Sequence, residues 1–433
     1  MFAERRNQLL SAMGPDAVAI IPGAGIVQRS NDTSYRFRQD SDFWYLTGFE
    51  HADATAILST LPGRPAYTLF VQPRDPTAEV WTGYRPGVEG AQSTYEADEA
   101  ADCGTLLARL PEIVEGSTRL YHALGRRPEL DQKLIEIQDA LRLQSRRGAS
   151  PAAEWIDPRS ILHEMRLFKS SEEIALMRTA ADISREAHAE AARAIAPGRQ
   201  EYEIEAALDS VFRRRGAWGP AYESIVAGGA NAAVLHYVTN DQPLRAGDLL
   251  LIDAGCEYQG YASDVTRTYP IGGRFEGPQR EIYEVVLEAQ QAAMAKALPG
   301  TTLPALHDLT SRALTEGMVA IGLLTGDVDE LIESEAHRRY YMHGTSHWLG
   351  LDVHDVGRYA EADKPRSLEP GMVFTVEPGL YISKNDPEAP EAFRGMGVRI
   401  EDDVVITPDG NENLTEAIPK TTAEVEAWVN DSR

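Results

Sequence analysis

Two segments of this chain share one design, and together they require charge to be buried at two related places. Residues 244–255 read LRAGDLLLIDAG and residues 368–379 read LEPGMVFTVEPG. Each holds a turn, a short and mostly apolar strand, a carboxylate (Asp253 or Glu377) and a glycine two positions on. A charge at the end of a core strand is costly unless something neutralises it. Capping a turn would account for one such strand; two related strands argue for a shared central site. The helices before them repeat as well. A helix from about Ser171 stops at Pro197-Gly198 and a second runs to Gly216, while a helix from about Pro278 stops at Pro299-Gly300 and another runs to about Gly322. A repeat of this kind predicts a pseudo-twofold domain whose halves both deliver ligands to the centre.

The rest of the chain is a separate unit on this reading, since a single core seldom grows past roughly 250 to 300 residues and the chain has 433. Residues 1 to about 150 mix an apolar run from Ala17 to Ile21, read as a buried strand, with β-like runs at Tyr67 to Gln72 and Glu79 to Thr82. A helical pattern follows from Leu130 to Leu143. After a stretch rich in Arg, Gly, Ser and Pro (Ser145 to Pro151), Ser170-Ser171-Glu172-Glu173 carries a capping-box pattern that opens the long helix. The expected organisation is an α/β protein of two domains, 1–167 and 168–433.

Composition narrows the function. Basic residues number 42 and acidic residues 67, a formal charge of −25 that repels nucleic acid and anionic membrane surfaces. Cys103 and Cys256 are too few for a disulfide framework or a thiolate zinc site. The N-terminal MFAERRNQLL has no leader pattern, and no apolar run approaches the roughly 20 residues of a membrane helix, so a cytoplasmic location is expected.

The segment after Asp253 looks like a hairpin turning near Tyr258 to Gly260. With a two-residue turn at Tyr258-Gln259, Asp253 and Asp264 would pair directly across the strands, and like charges there destabilise without a cation between them. The second half supplies His343, His347, His354, Glu377 and Glu401. Glu401 follows Glu377 much as Asp264 follows Asp253, with a longer polar segment (Ser383 to Arg394) in place of the short turn. His343 and His347 are four apart, but Gly344, Thr345 and Ser346 make a helical zinc motif unsuitable. His51, His122, His163, His188, His307 and His337 are read as structural. Asp253, Asp264, His347, Glu377 and Glu401 together suit two divalent ions such as manganese, cobalt, iron or zinc. The four negative charges balance two M²⁺, and a hydroxide bridging such a pair is a hydrolytic nucleophile.

At these residues the sequence resembles the creatinase-like, or pita-bread, metallopeptidases, and among them the members that release the residue ahead of a proline. The segments SDFWYLTGF (41–49), HEMRLFK (163–169), LIDAGCEY (251–258), HGTSHWLGLDVHDVG (343–357) and TVEPGLY (375–381) carry the resemblance across both domains. It implies an α/β N-terminal domain followed by a pita-bread α+β catalytic domain, with the family's metal ligands at the five residues above. Supporting catalytic groups fall on His236, His343, His354 and Arg399, with Glu377 as proton shuttle and Trp81, Tyr222 and Tyr381 as substrate-binding residues. Also implied are a manganese-type activator, peptide substrates with proline at position two, and a homodimer or homotetramer. The ligands alone do not separate such an aminopeptidase from a prolidase restricted to dipeptides. The complete ligand set weighs against both a creatinase-like amidinohydrolase and a metal-free binding module.

Overall fold

The apolar run at Ala17 forms strand β1 (Ala17–Pro22) inside a six-stranded sheet. A computed structural model of the protein describes residues 1–431. The other strands of this sheet are β2 (Thr55–Ser59), β3 (Tyr67–Val71), β4 (Glu99–Asp102), β5 (Arg119–Tyr121) and β6 (Glu154–Ile156), in the order β4-β3-β2-β1-β5-β6. β1 pairs antiparallel with β2 and parallel with β5. Apolar residues spaced at helical intervals, Leu106, Leu110 and Val114 in one helix and Leu130, Leu134, Ile137 and Leu141 in another, close the core over Val18, Ile20 and Phe70.

The run Glu79 to Thr82 is not a strand. It lies in helix α1 (Pro76–Thr82), which Asp75 starts by accepting from Thr77 N and Ala78 N while Pro76 occupies the first turn. A capping Asp followed by Pro outweighs a short alternation that buries nothing. The chain divides into two compact units, Met1–Glu164 and Met165–Arg433, inside the helix Arg159–Leu167.

The second unit holds the repeat. Helix α2 (Ser171–Ala194) opens on the expected capping box, with Glu173 N donating to Ser170 Oγ and Ser170 N donating to Glu173 Oε2. It packs on α3 (Glu201–Arg214), as α4 (Pro278–Lys296) packs on α5 (Leu303–Ala320). No helix among the described residues is long and apolar enough to cross a membrane.

In the first half β7 (Ile225–Gly228), β8 (Leu249–Asp253) and β11 (Thr266–Pro270) form one sheet, and β9 (Cys256–Tyr258) pairs with β10 (Tyr261–Ala262) in another. The hairpin turns at Gln259-Gly260, with φ of 47° and 85°, rather than at Tyr258-Gln259. Two positive φ values define the favoured tight hairpin, and glycine takes the second without strain. The register therefore moves by two residues: Asp253 pairs with Thr266, not with Asp264. Because side chains alternate, Asp264 stays on the same face as Asp253. Between them Gly255 runs against Ser263, where an added Cβ would lie 1.8 Å from the Ser263 carbonyl oxygen.

In the second half β12 (Val373–Val376) pairs with β15 (Asp402–Thr407), and β13 (Gly379–Ile382) with β14 (Met396–Arg399). Val376 faces Asp402 and Gly379 faces Arg399, so Glu377 stands across from Glu401. The halves share their elements but not their ligand register. Position by position, Thr266 corresponds to Glu401 and Asp264 to Arg399.

His188 of α2 is wholly buried between the two halves of the hairpin scaffold, with Nε2 2.9 Å from the Ala254 carbonyl and Nδ1 3.1 Å from the Tyr269 hydroxyl. Burial, partly opposed by the Ala254 bond, lowers its pKa from 6.5 to about 4. The folded state thus resists a proton that the unfolded chain accepts, so stability falls as pH drops from about 6.5 towards 4, by up to about 3 kcal/mol. Urea titrations across that range should show this loss, and His188→Gln should flatten it. Gly255→Ala should lower stability by about 2 kcal/mol or more through backbone displacement, read as a shift in the urea midpoint.

Candidate metal centre

Strand ends bring the ligands together. Asp253 ends β8 and Asp264 precedes β11, while Glu377 follows β12 and Glu401 precedes β15. His347 lies on an extended segment rather than a helix: Thr375 N donates to the His347 carbonyl (3.0 Å) and Glu377 N to the Thr345 carbonyl (2.9 Å). Its Nδ1 lies 3.0 Å from the Trp348 carbonyl, which fixes the proton there and turns Nε2 to the carboxylates. Nε2 is 3.4 Å from Asp264 Oδ2 and 3.4 Å from Glu377 Oε1. Donor atoms of Asp264, His347 and Glu401 all lie within 4.8 Å of one another.

These groups open into a cavity of about 650 Å³ whose wall also includes Asp253, Glu377, Tyr222, His236, His343, His354 and Arg399. Ile225, Leu235, Val238 and Val353 supply an apolar part. Tyr222 donates its hydroxyl to Asp253 Oδ1 (2.7 Å). His236 is exposed in the segment after Gly229–Ala233, and the His354 ring lies 4.4 Å from the His347 ring.

Arg399 is the hub. Its guanidinium donates to Asp253 Oδ2 (2.5 Å), Thr266 Oγ1 (2.9 Å) and Tyr381 Oη (3.0 Å), and the Thr266 hydroxyl donates on to Glu401 Oε2 (2.6 Å). Tyr381, expected to bind substrate, is only 2% exposed and stands behind the cavity wall, between Arg399 and His343 Nε2 (2.8 Å). His343 Nδ1 donates to the Gly344 carbonyl at 2.7 Å, so both of its ring nitrogens are engaged. Trp81 belongs to the first unit, at the end of α1, with its side chain 85% exposed.

Charge at the centre is unbalanced. Burial first, and then repulsion from Asp264, Glu377 and Asp253, pushes Glu401 well above the usual carboxylate range. Burial raises Glu377 to about 7 against the opposing pull of His347 and Arg399, and raises Asp253 despite Arg399. Asp264 is held low, burial being outweighed by His347, whose own pKa is raised to about 9 because Asp264 and Glu377 overcome its burial. Among the described residues, the buried Asp253, Asp264 and Glu401 and the partly buried Glu377 thus face the Arg399 guanidinium and the His347 imidazole. A cluster of oxygens and one imidazole short of positive charge fits divalent cations of the manganese-to-zinc type.

Three supporting residues escaped the sequence reading. Thr266 carries no signal in the sequence, since a threonine in a strand is ordinary. Asp402 and Asp403 continue the run from Glu401 into an apolar strand, the same pattern of buried charge that marked the ligands. Asp403 accepts from Asp264 N (3.1 Å), while Asp402 is fully buried against Arg267 (2.6 Å).

Buried carboxylate pairs presented by a twofold-repeated α/β unit define a class of metal-dependent hydrolases, and sequence comparison agrees. Metallopeptidase family M24 matches residues 175–408, and the aminopeptidase P N-terminal domain matches residues 2–121. The chain belongs to metallopeptidase family M24 and is a hydrolase. It is 46% identical to the Xaa-Pro aminopeptidase of Escherichia coli over 433 residues, covering 100% of this chain and 98% of that one. Xaa-Pro aminopeptidase 3 of Homo sapiens is 36% identical over 98% of this chain and 85% of its own. Among solved structures, the Pseudomonas aeruginosa aminopeptidase PepP superposes with a TM-score of 0.97 at 48% identity, over 100% of this chain and 98% of that one. The zinc-substituted E. coli aminopeptidase P in complex with product gives 0.96 at 45% identity, with the same coverage.

Thr266→Val keeps the shape of the side chain but removes the link from Arg399 to Glu401. Loss of such an outer partner should weaken divalent-cation binding by about 10–100-fold, measured by calorimetric titration with manganese, with little change in circular dichroism.

Proposed function

We propose that this protein is a metallo-aminopeptidase that hydrolyses the bond between an N-terminal residue and a following proline, with two divalent cations held by Asp253, Asp264, His347, Glu377 and Glu401 in a catalytic domain spanning 168–433. The observation that carries the reading is the meeting of Asp264, His347 and Glu401 within 4.8 Å, with Asp253 and Glu377 on the wall of the same cavity. Specificity for proline is supported by the likeness, through both units, to proteins named Xaa-Pro aminopeptidase. Manganese is the cation proposed first, followed by cobalt, zinc and iron, which share its donor preference.

When bound, such a cation pair supplies hydroxide as the nucleophile at neutral pH and polarises the scissile carbonyl. The chain's own groups do the rest. An X-Pro bond is a tertiary amide without an N–H, so its nitrogen leaves as a secondary amine only after gaining a proton. Glu377, on the cavity wall and 3.8 Å from His343, carries that proton. His354 steadies developing charge beside His347, and His343 does so from its seat between Gly344 and Tyr381. Arg399 keeps Asp253 ionised and in place. His236 and Tyr222 position the substrate, with Tyr381 behind them. The substrates are peptides with proline second, acted on in the cytoplasm by a homodimer or homotetramer.

Protein stripped by a chelator and reloaded with manganese, cobalt or zinc should cleave Gly-Pro-Pro, releasing glycine, and Asp264→Ala should lower the rate by at least about 100-fold. Cleavage of Gly-Pro without Gly-Pro-Pro would replace the aminopeptidase reading with a dipeptidase. Absence of hydrolysis with every cation would remove the enzymatic reading altogether.

A further inference from the structure

The segment HEMRLFK (163–169) takes no part in the chemistry described above, yet two of its cations are buried beside the loop that carries His354. Arg166, in the last turn of the helix Arg159–Leu167, and Lys169, just beyond it, have side chains only 3% and 1% exposed. Arg166 donates to Asp352 Oδ2 (2.7 Å) and Asp355 Oδ1 (2.6 Å), and Lys169 Nζ donates to Asp355 Oδ2 (3.0 Å). Each oxygen of the buried Asp355 carboxylate thus has a buried cationic donor. His354, one residue back, is exposed on the wall of the catalytic cavity.

Residues 349–357 contain no helix or strand, so regular backbone pairing does not set where His354 stands. The ion cluster does. Gly350 passes so close to it that an added Cβ would lie 2.1 Å from Asp355 Oδ2 and 2.9 Å from Lys169 Cε, which leaves the loop no room to slide. Asp355 N donates to the Trp348 carbonyl (2.8 Å), the same oxygen that receives His347 Nδ1 (3.0 Å). One carbonyl therefore joins the Asp355 anchor to His347, and the His354 ring is held 4.4 Å from the His347 ring. The anchor is fixed at its other end as well. Lys169 N donates to the Gly371 carbonyl (2.8 Å), and Phe168 bridges to Met372 just ahead of β12, the strand that leads to Glu377.

Burying an ion pair costs desolvation that an apolar pair would not, so this cluster is a poor source of stability and a good means of fixing direction. We propose that Lys169 and Arg166 are positioning residues for the hydrolysis: they lock Asp355, and Asp355 holds His354 at the reacting centre beside His347. The proposal rests on the aminopeptidase reading above and gives a role in it to residues that do not line the cavity.

Lys169→Met keeps the length of the stem and removes the charge, while Asp355 retains Arg166 and is not left unpaired, so the variant folds. At saturating manganese it should lower kcat for Gly-Pro-Pro at least about tenfold through displacement of His354. KM should stay within about twofold, because a group that steadies developing charge acts in the transition state. In a His354→Ala background the same change should cost less than about twofold, since the two residues act as a unit. In metal-free protein, hydrogen–deuterium exchange over residues 349–357 should quicken roughly tenfold in Lys169→Met, with residues 249–253 unchanged. An unchanged kcat, a loss that persists undiminished beside His354→Ala, or unaltered exchange would overturn the positioning role and leave the aminopeptidase reading intact. Wild-type protein that cleaves no Gly-Pro-Pro would overturn both.

Discussion

The structure depends on bringing four carboxylates and one imidazole together on the wall of one cavity. Burial first, and then repulsion among the carboxylates, raises the pKa values of Glu377, Glu401 and Asp253. Among the described residues Arg399 is the one permanent cation that touches the cluster, and it does so through three hydrogen bonds that tie Asp253, Thr266 and Tyr381 together. Its reach extends to Glu401 through Thr266 and to His343 through Tyr381. The charge still lacking is what divalent ions would supply.

One residue away the same problem is solved without a metal. Asp402 is as buried as Glu401, but Arg267, Gln290, Lys420 and Thr415 all donate to it. Burial works against ionisation there, and Arg267 with Lys420 outweighs it, holding the carboxyl well below its ordinary range. Arg267 also donates to the carbonyls of Thr266, Glu401, Ile418 and Pro419, so the strands that carry the ligands are bound to the C-terminal segment. The contrast between neighbouring carboxylates separates a charge paired for stability from charges left for a cation.

The packing that supports the centre is similarly specific. His188 fills a core position with a polar ring because the Ala254 carbonyl and the Tyr269 hydroxyl both need partners. Gly255 allows the chain to cross Ser263 at a distance no side chain tolerates, which brings Asp264 back beside Asp253. Thr345 links the outlying His307 to Tyr341 while its carbonyl receives Glu377 N, so both rings are tied to a ligand strand.

Much of this was legible in the sequence because burying charge leaves a trace that pattern alone can show. Apolar strands ending at Asp253 and Glu377, the matching helix punctuation and the capping box at Ser170 set the repeated architecture and pointed to a central polar site. Family resemblance then singled out Arg399 and Tyr381. The tertiary structure decided what spacing could not. The turn at Gln259-Gly260 shifted Asp253 opposite Thr266, because positive φ at two successive positions, and not residue count, sets a hairpin's register. Glu79 to Thr82 became helix because Asp75 and Pro76 cap it. Tyr381 moved from the pocket to a place behind it, and Thr266 entered the site, since a hydroxyl gains its role only from the arginine and carboxylate that folding brings to it.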